Sequence, residues 1–591
     1  MKTAHNSLKF SLFFVFRFSF FGLSPLCLFA QASGVPLNAP TYHLLDRLSV
    51  VSDVPSEIHP ELKFFSRQDV AEYALAVDSA SPNLTRLDRR DIAYILADNN
   101  EYVGPSYRPA ASTNGWQTPE TVAPEPIERR GLFGIFWRSP ANFFEVNTPH
   151  FLLRANPMLN FAFQKSEQED GILFANQRGL EVRGEVDNRL FFYTNFLETQ
   201  TRFPEYVFRY IQKNKAVPGN GLYKNFKSQI FDIEKGRGFD YSNAVAYIGF
   251  QATRHVGVQL GHGKHFIGNG YRSMFLSDFS NNYFYLKLST RVWKFDYQNL
   301  FLEITPSTAA AEPGDRLLPK KFAAMHYLNF KPTRNLAFGF FEATIFNRSQ
   351  DFELQYLNPI ILYRTVEASI GSPDNVLIGV DFRWNFWRRF QLYGQAMLDE
   401  FNFNFIFQPE ERGWRNNKSG LQAGLKYFNA LGINHLDLQA EYNAVRPYTY
   451  SHYDTLNSYT HYHQPLAHPL GANFREIVLL ARYQPFPKWV VQARYIRSNY
   501  GENTATQNWG GDPLLSNRDF VQEYNNEIGQ GVGASQSILG AELNWQFFHN
   551  MFLDLRFFLR DKDSDNQALD LKTTLFGAGL RMNVWNQNHD F

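Results

Sequence analysis

Two stretches of the sequence concentrate side chains that could bind a ligand. The first, GHGKHFIGNGYRSMFLSDFSNNY, begins at Gly261, directly after the apolar run VGVQL. In a dinucleotide-binding fold such glycines open a helix, so that the pyrophosphate meets free backbone N–H groups. Here the chain continues from Tyr283 as YFYLKLSTRVWKFDYQNLFLEI, whose aromatic and β-branched residues predict two more strands. The glycines therefore lie in a loop between strands, and no nucleotide site is expected.

The same loop carries polar side chains that could face a ligand. They are His262, His265, Asn269, Tyr271, Arg272, Asp278 and Asn281. A structural interpretation stands beside this one: Arg272 and Asp278 would form an internal ion pair that fixes the loop, because buried charges are normally paired.

The second stretch, PYTYSHYDTLNSYTHYHQPLAHPLGANF, is rich in tyrosine and histidine and runs from Pro447 to Phe474. Its candidate ligand contacts are Tyr453, His461, Tyr462, His463 and His468. Dense histidines could hold a metal, but two of them lie two residues apart in irregular chain and Asp454 is the only carboxylate, so no metal is predicted. Flat rings with polar tips suit stacking on sugars, which favours a glycan-binding surface. Ordinary loop packing is the alternative.

Catalysis leaves no recognisable pattern in the sequence. There is no G-x-S-x-G motif, no H-E-x-x-H motif and no distinct spaced pair of carboxylates. Ser, His and Asp are all available for a lipase-like enzyme, but no local motif nominates them. The sequence therefore predicts a protein that is not an enzyme, with no catalytic residues and no cofactor.

The start of the chain is a separate unit. Residues 1–32 begin with a basic segment that contains Lys2 and Lys9. A Phe-rich apolar stretch follows, and the unit ends with Ala30-Gln31-Ala32. This pattern predicts a secretory signal peptide cleaved near Ala32, with an uncleaved anchor as the alternative. The only cysteine, Cys27, lies inside this unit, so the mature chain is expected to lack thiol chemistry.

Composition narrows the class of the remaining chain. Aromatic residues make up 17% of the sequence, yet mean hydropathy is negative, so apolar residues are dispersed among polar ones. Past residue 32 no run of about 18 apolar residues occurs, which excludes a polytopic helical membrane protein. The formal net charge is only +1, which gives no electrostatic case for nucleic acid as a partner.

Helical spacing is confined to residues 33–103. Val70, Tyr73 and Val77 fall on one helix face behind a Ser66 cap, and a similar pattern follows Thr85. With a shorter apolar piece near residues 44–51, these segments predict a small helical bundle. Residues 104–141 are rich in proline and polar residues, which is typical of a linker.

From residue 142 to 591 the apolar residues repeat every second position. Ile378, Val380 and Phe382, for example, alternate with Gly379 and Asp381. A soluble sandwich would show the same alternation. The strands, however, have lengths of about 10 to 14 residues, and tight turns alternate with long loops, which is the pattern of outer-membrane barrels.

These features predict an all-β outer-membrane β-barrel of about 18 antiparallel strands, with the helical bundle in the periplasm and the long loops outside. Residues 353–375 are too apolar for a solvated loop, and we expect them to fold back into the lumen. The last strand, near the terminal Phe591, is expected to be recognised by the barrel-assembly machinery.

The residues also resemble a known family. FIGNGYRSMFLSDFSNNYFYLKL is similar to the G-x-G…S-L-L-L-S-N-N segment of capsule-assembly outer-membrane proteins of the Wzi type, especially the RemB-like branch of gliding bacteria. SRQDVAEYAL, RANPMLNF, LNPIILYR with GSPDN, and HPLGANF match as well. The usual Trp-Gly-Pro-Gly start is Ile267-Gly268-Asn269-Gly270 here, and Met274 and Phe275 replace small or Leu positions, which favours the gliding-type branch.

The resemblance implies an 18-stranded barrel, a periplasmic helical bundle and a lectin-like role in holding surface polysaccharide. We therefore expect a protein of the cell outer membrane that binds or organises capsular or exopolysaccharide and supports capsule assembly or gliding motility. Its other expected partners are outer-membrane lipid and lipopolysaccharide. A porin-like diffusion channel or a secretion-accessory barrel is the alternative function.

Overall fold

The computed structural model describes residues 32–81, 84–103, 139, 141–228, 233–307, 318–348, 351–372, 374–400 and 412–591. The predicted signal peptide and the predicted Pro-rich linker fall almost entirely outside these ranges. In the described part of the chain, no helix is both long and apolar enough to cross a membrane.

Eighteen antiparallel strands close into one barrel, which confirms the predicted fold class. The strands are β1 Phe151–Ser166, β2 Ile172–Val186, β3 Leu190–Arg202, β4 Ile233–Gln251, β5 Val256–Gly263, β6 Tyr283–Val292, β7 Phe295–Ile304, β8 Lys321–Thr333, β9 Leu336–Phe346, β10 Asn375–Phe386, β11 Phe390–Leu398, β12 Ser419–Tyr427, β13 Leu436–Val445, β14 Phe474–Phe486, β15 Trp489–Glu502, β16 Val532–Phe548, β17 Met551–Ser564 and β18 Leu571–Met582. Each strand pairs with the next, and β18 closes the ring on β1, where Leu580 lies opposite Phe161.

The alternation in the sequence separates an apolar outer wall from a polar lumen. Along β10, Ile378 and Trp384 are 44% and 46% exposed, whereas Asp381 and Arg383 point inward and are only 5% and 2% exposed. Apolar residues on the outside and buried charges on the inside are the reverse of a soluble sandwich and suit a bilayer-spanning barrel.

Connections at the two ends of the barrel differ in length, as the sequence predicted. Tight turns such as 293–294 and 487–488 lie at one end, which we call the turn end. Long connections such as 446–473 and 503–531 lie at the other end, which we call the loop end. The long segments therefore all leave the barrel wall at one end.

Among the described residues before the barrel there are three α-helices: α1 Pro40–Val51, α2 Arg67–Ala80 and α3 Arg86–Asp98. The predicted caps are confirmed, since the Ser66 side chain accepts from the Asp69 N–H and Thr85 forms a capping box with Asp88. The helices share one apolar core and pack against the turn end, where the Tyr94 hydroxyl donates to Asn550 Oδ1 at 2.6 Å.

Short elements complete the described chain. Two further helices, α4 Glu205–Asn214 and α5 Tyr363–Ile370, belong to long loops. Short strands outside the ring of eighteen are Leu62–Lys63, Phe144–Asn147, Lys224–Ser228, Phe266–Ile267, Thr460–His461 and Gln464–Pro465. Single 3₁₀ turns are Asn100–Tyr102, Leu354–Leu357, Ala430–Gly432, Thr455–Asn457 and Gln567–Leu569.

The prediction that residues 353–375 fold back into the lumen is wrong. Tyr356 and α5 pack on Phe322 and Phe346, which share the outward face of β8 and β9 with the exposed Phe340. The segment is apolar because it lies against the outer wall of the barrel, and the apolar residues alone did not indicate which side it would cover.

Candidate functional site

The first candidate stretch fills the lumen. Residues 264–282, which we call the lumen loop, leave β5 and turn inward before β6 begins. The Met274 N–H donates to Gln395 Oε1 on β11 at 2.8 Å, and the Phe275 ring stacks on Phe341 of β9 with 4.7 Å between centroids. These contacts join the loop to lumenal side chains three to five strands further round the barrel.

The second candidate stretch lies over the first. Residues 446–473 form the Tyr/His loop between β13 and β14. The Tyr450 hydroxyl donates to the Met274 carbonyl and the Tyr459 hydroxyl to the Phe275 carbonyl, both at 2.8 Å. Both tyrosines are fully buried, so they pack the two loops together, as the alternative interpretation of ordinary loop packing proposed.

His461 is held between backbone groups. Its Nδ1 accepts from the Thr305 N–H at 2.9 Å, and its Nε2 lies 3.0 Å from the Asn282 carbonyl, to which it donates. Burial lowers the pKa of His461 to about 3, so the imidazole is neutral at ordinary pH. A neutral ring with both nitrogens engaged ties the Tyr/His loop to β7 and to the lumen loop.

Glu476 on β14 joins both loops to the barrel wall. Arg272 of the lumen loop donates to it through Nε at 3.2 Å and Nη2 at 3.1 Å, and His468 of the Tyr/His loop lies 2.8 Å away through Nε2. The interpretation that pairs Arg272 with Asp278 is therefore wrong. Asp278 instead accepts from the Asn38 side chain at 2.8 Å, because the chain has turned toward the N-terminal segment there.

The C-terminal residues also enter the lumen. Strand β18 ends at Met582, and residues 583–591 then lie among the loops. The Asp590 carboxylate accepts from the Tyr271 hydroxyl and lies 3.2 Å from Arg494 of β15. The terminal Phe591 packs on Tyr210 rather than ending the last strand. Recognition of that strand by the barrel-assembly machinery stays a prediction.

The N-terminal segment closes the lumen from the turn end. Leu62–Lys63 pairs with Phe266–Ile267 of the lumen loop as a two-stranded sheet. The Glu61 carboxylate, fully buried, lies 3.1 Å from Arg383 of β10 and accepts from Asn269 and Asn329 at 3.2 Å each. The lumen is thus filled by segments from both ends of the barrel.

The predicted contact residues fall into three groups in the structure. The buried ones are His265, Asn269, Arg272, His461 and His468. Those that are half-buried are Tyr271, Asp278, Tyr453, Tyr462 and His463. His262 faces outward on β5, on the same side as the exposed Leu260. The structure brings most of them together as a plug, and their role as glycan contacts stays a prediction.

A cluster at the loop end contains residues that the sequence did not single out. The Arg518 guanidinium lies 4.1 Å from the centre of the Tyr453 ring, and the Arg415 guanidinium 4.1 Å from that of Phe520. Arg415 also donates to the Asn517 carbonyl at 2.9 Å, which joins the two pairs. We call Arg415, Tyr453, Arg518 and Phe520 the loop-end cluster. These residues come from three loops, with only Arg518 and Phe520 close in sequence, so no local sequence pattern could have grouped all four.

Cavities with mixed polar and apolar lining remain in the lumen. One has a volume of about 330 Å³ and is lined by Gln177, Asn195, Phe203 and Tyr241 among others. Two further cavities measure about 310 Å³ and 260 Å³. Among the residues that the structure describes, no three His, Cys, Asp or Glu side chains are grouped as a metal site would require.

A closed barrel with an apolar outer wall and a polar, filled lumen defines the class: the protein is a β-barrel of the bacterial outer membrane. The family model of the capsule assembly protein Wzi matches residues 168–574. The chain therefore belongs to the Wzi capsule assembly family. No curated protein matches it by sequence.

A solved structure shows the same fold. The fold is similar to that of Wzi from Escherichia coli, described as an outer-membrane protein involved in group 1 capsule assembly and as a carbohydrate-binding β-barrel. The TM-score is 0.54 at 12% identity, covering 94% of this chain and all of that one. OprD from Pseudomonas aeruginosa is more distant, with a TM-score of 0.40 and 10% identity over 73% of this chain and 94% of that one.

Proposed function

We propose that the protein binds and organises surface polysaccharide in a lectin-like manner, without enzymatic chemistry, and that its turn end faces the periplasm. The observation that carries this proposal is the filled lumen. Glu61, Arg272 and His461 fix three segments across it through buried hydrogen bonds. A barrel filled in this way leaves the loop end as the surface that a polymer outside the cell can reach.

Family membership supports the class of ligand. The family is that of a capsule assembly protein, and its Escherichia coli member is described as carbohydrate-binding. Capsular or exopolysaccharide is therefore the ligand that we propose for this chain.

The gliding-type branch is a further part of the proposal. It rests on the Ile267-Gly268-Asn269-Gly270 start of the lumen loop. Gly268 has a φ of +140°, and a Cβ there would lie 2.7 Å from the Gln395 side chain. The glycine is required by the geometry of this turn, while Asn269 supplies the hydrogen bond to Glu61. Support of gliding motility by the bound polysaccharide is a proposed role that rests on the resemblance of the motif, in which Asn269 replaces the usual proline.

The loop-end cluster offers suitable chemistry for sugars. Aromatic rings stack on the apolar faces of sugar rings, and a guanidinium donates to hydroxyl or carboxylate oxygens. Arg518 and Tyr453 combine the two, and in the described part of the chain no carboxylate lies within ion-pair distance of Arg518. This pair is our leading candidate for polysaccharide contact.

A diffusion channel is the alternative function, and the three cavities in the lumen are the observation that favours it. Against conduction, the N-terminal segment and the lumen loop occupy the lumen, where buried ion pairs of Arg383 and Arg272 hold them. The filled lumen therefore supports the binding function over the channel.

Replacing both Tyr453 and Arg518 with alanine is expected to weaken binding of the purified surface polysaccharide at least tenfold. Important contacts at a binding surface are worth on the order of 1 to 2 kcal/mol each, and about 1.4 kcal/mol is tenfold in affinity. Equilibrium binding to the detergent-solubilised barrel measures the effect. Gln507→Ala, an exposed position in the same loop as Arg518, is the matched control and should bind like the wild type. Equal affinity of the double variant and the control would remove the cluster from the proposal.

A further inference from the structure

One long connection lies on the outside of the barrel wall. Residues 352–370, which we call the outer cover, contain the 3₁₀ turn Leu354–Leu357 and helix α5. Phe352 packs edge-on against Phe322 with 5.4 Å between ring centroids, and Tyr356 lies 4.7 Å from Phe346. Because these wall residues face outward, the cover occupies a position where the rest of the barrel meets lipid.

The wall beneath the cover has an unusual row of polar residues. Cross-strand neighbours lie at one height on adjacent strands of the barrel. Going from β10 to β6, these neighbours are Ile378, Glu342, His326, Asn299 and Leu288. Ile378 is 44% exposed on the apolar outer wall, so the three polar side chains face outward at the height of a lipid-facing residue. Polar and charged groups in hydrocarbon are unfavourable unless they are paired or shielded.

The inner side of the cover matches this polar row. The Pro359 carbonyl accepts from the Asn299 side chain at 3.2 Å, and the Arg364 N–H donates to Glu342 Oε1 at 3.2 Å. The ring of Tyr363 lies over that of His326 with 3.9 Å between centroids. As a result, the cover shields the polar row from both water and lipid, and His326 and Glu342 are only 6% and 8% exposed.

On the opposite side of the cover, the exposed apolar residues lie between positions 354 and 362, whereas exposed positions of α5 such as Arg364 and Thr365 are polar. Leu354, Ile360 and Leu362 are 72%, 85% and 64% exposed. A soluble loop would not present three such side chains together, since large exposed apolar patches mark an interaction surface. This patch belongs to a segment already packed on the lipid-facing wall, where Phe340 is itself 62% exposed, so the two apolar surfaces share one face of the barrel.

We propose that the outer cover is embedded in the outer leaflet of the membrane, with Leu354, Ile360 and Leu362 in contact with the acyl chains of its lipid. Its inner side shields the polar row from those chains. The cover thus lies between the wall and lipid as an interfacial segment does: its aromatic side chains and two backbone groups contact the wall, and the apolar side chains of residues 354–362 face away from it. This inference concerns the lipid partner and stands whether or not the loop end binds polysaccharide.

A spin label at position 360 tests the proposal. In a chain carrying Cys27→Ser, Ile360→Cys gives a single labelling site at a side chain that makes little contact with the protein. The full-length barrel is placed in vesicles of phosphatidylethanolamine and phosphatidylglycerol, and collision with oxygen, which concentrates in lipid, is compared with collision with a water-soluble nickel chelate. Phe340→Cys on the wall and Ala505→Cys in an exposed loop supply the lipid and water references.

The label at position 360 is expected to collide with oxygen as the label at position 340 does and to be protected from the nickel chelate. Collision with the chelate at the rate found for position 505 would place the cover in water and overturn the proposal. Spin–spin broadening between labels at position 360 would also overturn it, because a second copy of the chain, and not lipid, would then occupy the apolar surface.

Discussion

Glu476→Ala is expected to loosen both loops that fill the lumen while the barrel itself persists. Glu476 is 1% exposed and accepts from Arg272 of the lumen loop and His468 of the Tyr/His loop. Asn443 donates to the same carboxylate at 3.1 Å. Its removal leaves a buried guanidinium without this carboxylate, which costs on the order of 3 to 5 kcal/mol.

Amide hydrogen exchange measured by mass spectrometry detects this change. A loss of about 3 kcal/mol or more raises the open population of the loops more than a hundredfold, so exchange in residues 264–282 and 446–473 should accelerate by that factor. Glu476→Gln keeps two polar atoms in place and should show a smaller increase. Helices α2 and α3 do not contact Glu476 and serve as the internal reference. Unchanged exchange in both loops would show that other contacts hold the plug.

Glu61→Ala is expected to release the N-terminal segment from the lumen. Glu61 is fully buried, and in the described part of the chain it is the only carboxylate in ion-pair distance of Arg383, which is itself 2% exposed. Loss of the carboxylate leaves the Arg383 guanidinium buried without an ion-pair partner. It also removes the hydrogen-bond acceptor of the Asn269 and Asn329 side chains. The expected destabilisation of the bound segment is again on the order of 3 to 5 kcal/mol.

Thiol labelling at a buried neighbour measures this release. Leu62→Cys, placed in a chain with Cys27→Ser, puts a thiol at a position that is 6% exposed in the intact protein. Its reaction with a maleimide should be at least a hundredfold faster when Glu61→Ala is added. Glu57→Ala removes the same charge from an exposed position nearby and is the matched control. Equal labelling rates in the two backgrounds would mean that Glu61 does not hold the segment.

Sequence periodicity was sufficient for the architecture. Alternation such as that of Ile378 and Asp381 is a local property, and it predicted the strands, their faces and the two kinds of connection. The caps at Ser66 and Thr85 were readable for the same reason, because a cap and its partner lie three residues apart.

Partners that are distant in sequence could not be predicted. Arg272 and Glu476 are 204 positions apart, so their ion pair depends on which lumenal face each element presents after the barrel closes. The outer cover shows the same limit. Its apolar composition indicated burial, but the polar row that it shields is assembled from three strands by register.

The filled lumen and the outer cover together suggest that the barrel binds its partners at its outer surfaces and not in its interior. Segments such as 264–282 and 583–591 occupy the interior, and we therefore propose the loop end as the surface that recognises polysaccharide. The wall meanwhile carries an element, residues 352–370, that we place in lipid. We therefore propose that the barrel contacts surface polysaccharide at its loop end and membrane lipid at its outer cover at the same time.

The most direct test of the central proposal is to measure cell-attached and released polysaccharide in a strain that lacks the protein. We predict that the deletion strain sheds polysaccharide into the medium and that the wild-type chain restores its attachment. Equal amounts of attached polysaccharide with and without the protein would contradict the proposal that this barrel holds surface polysaccharide.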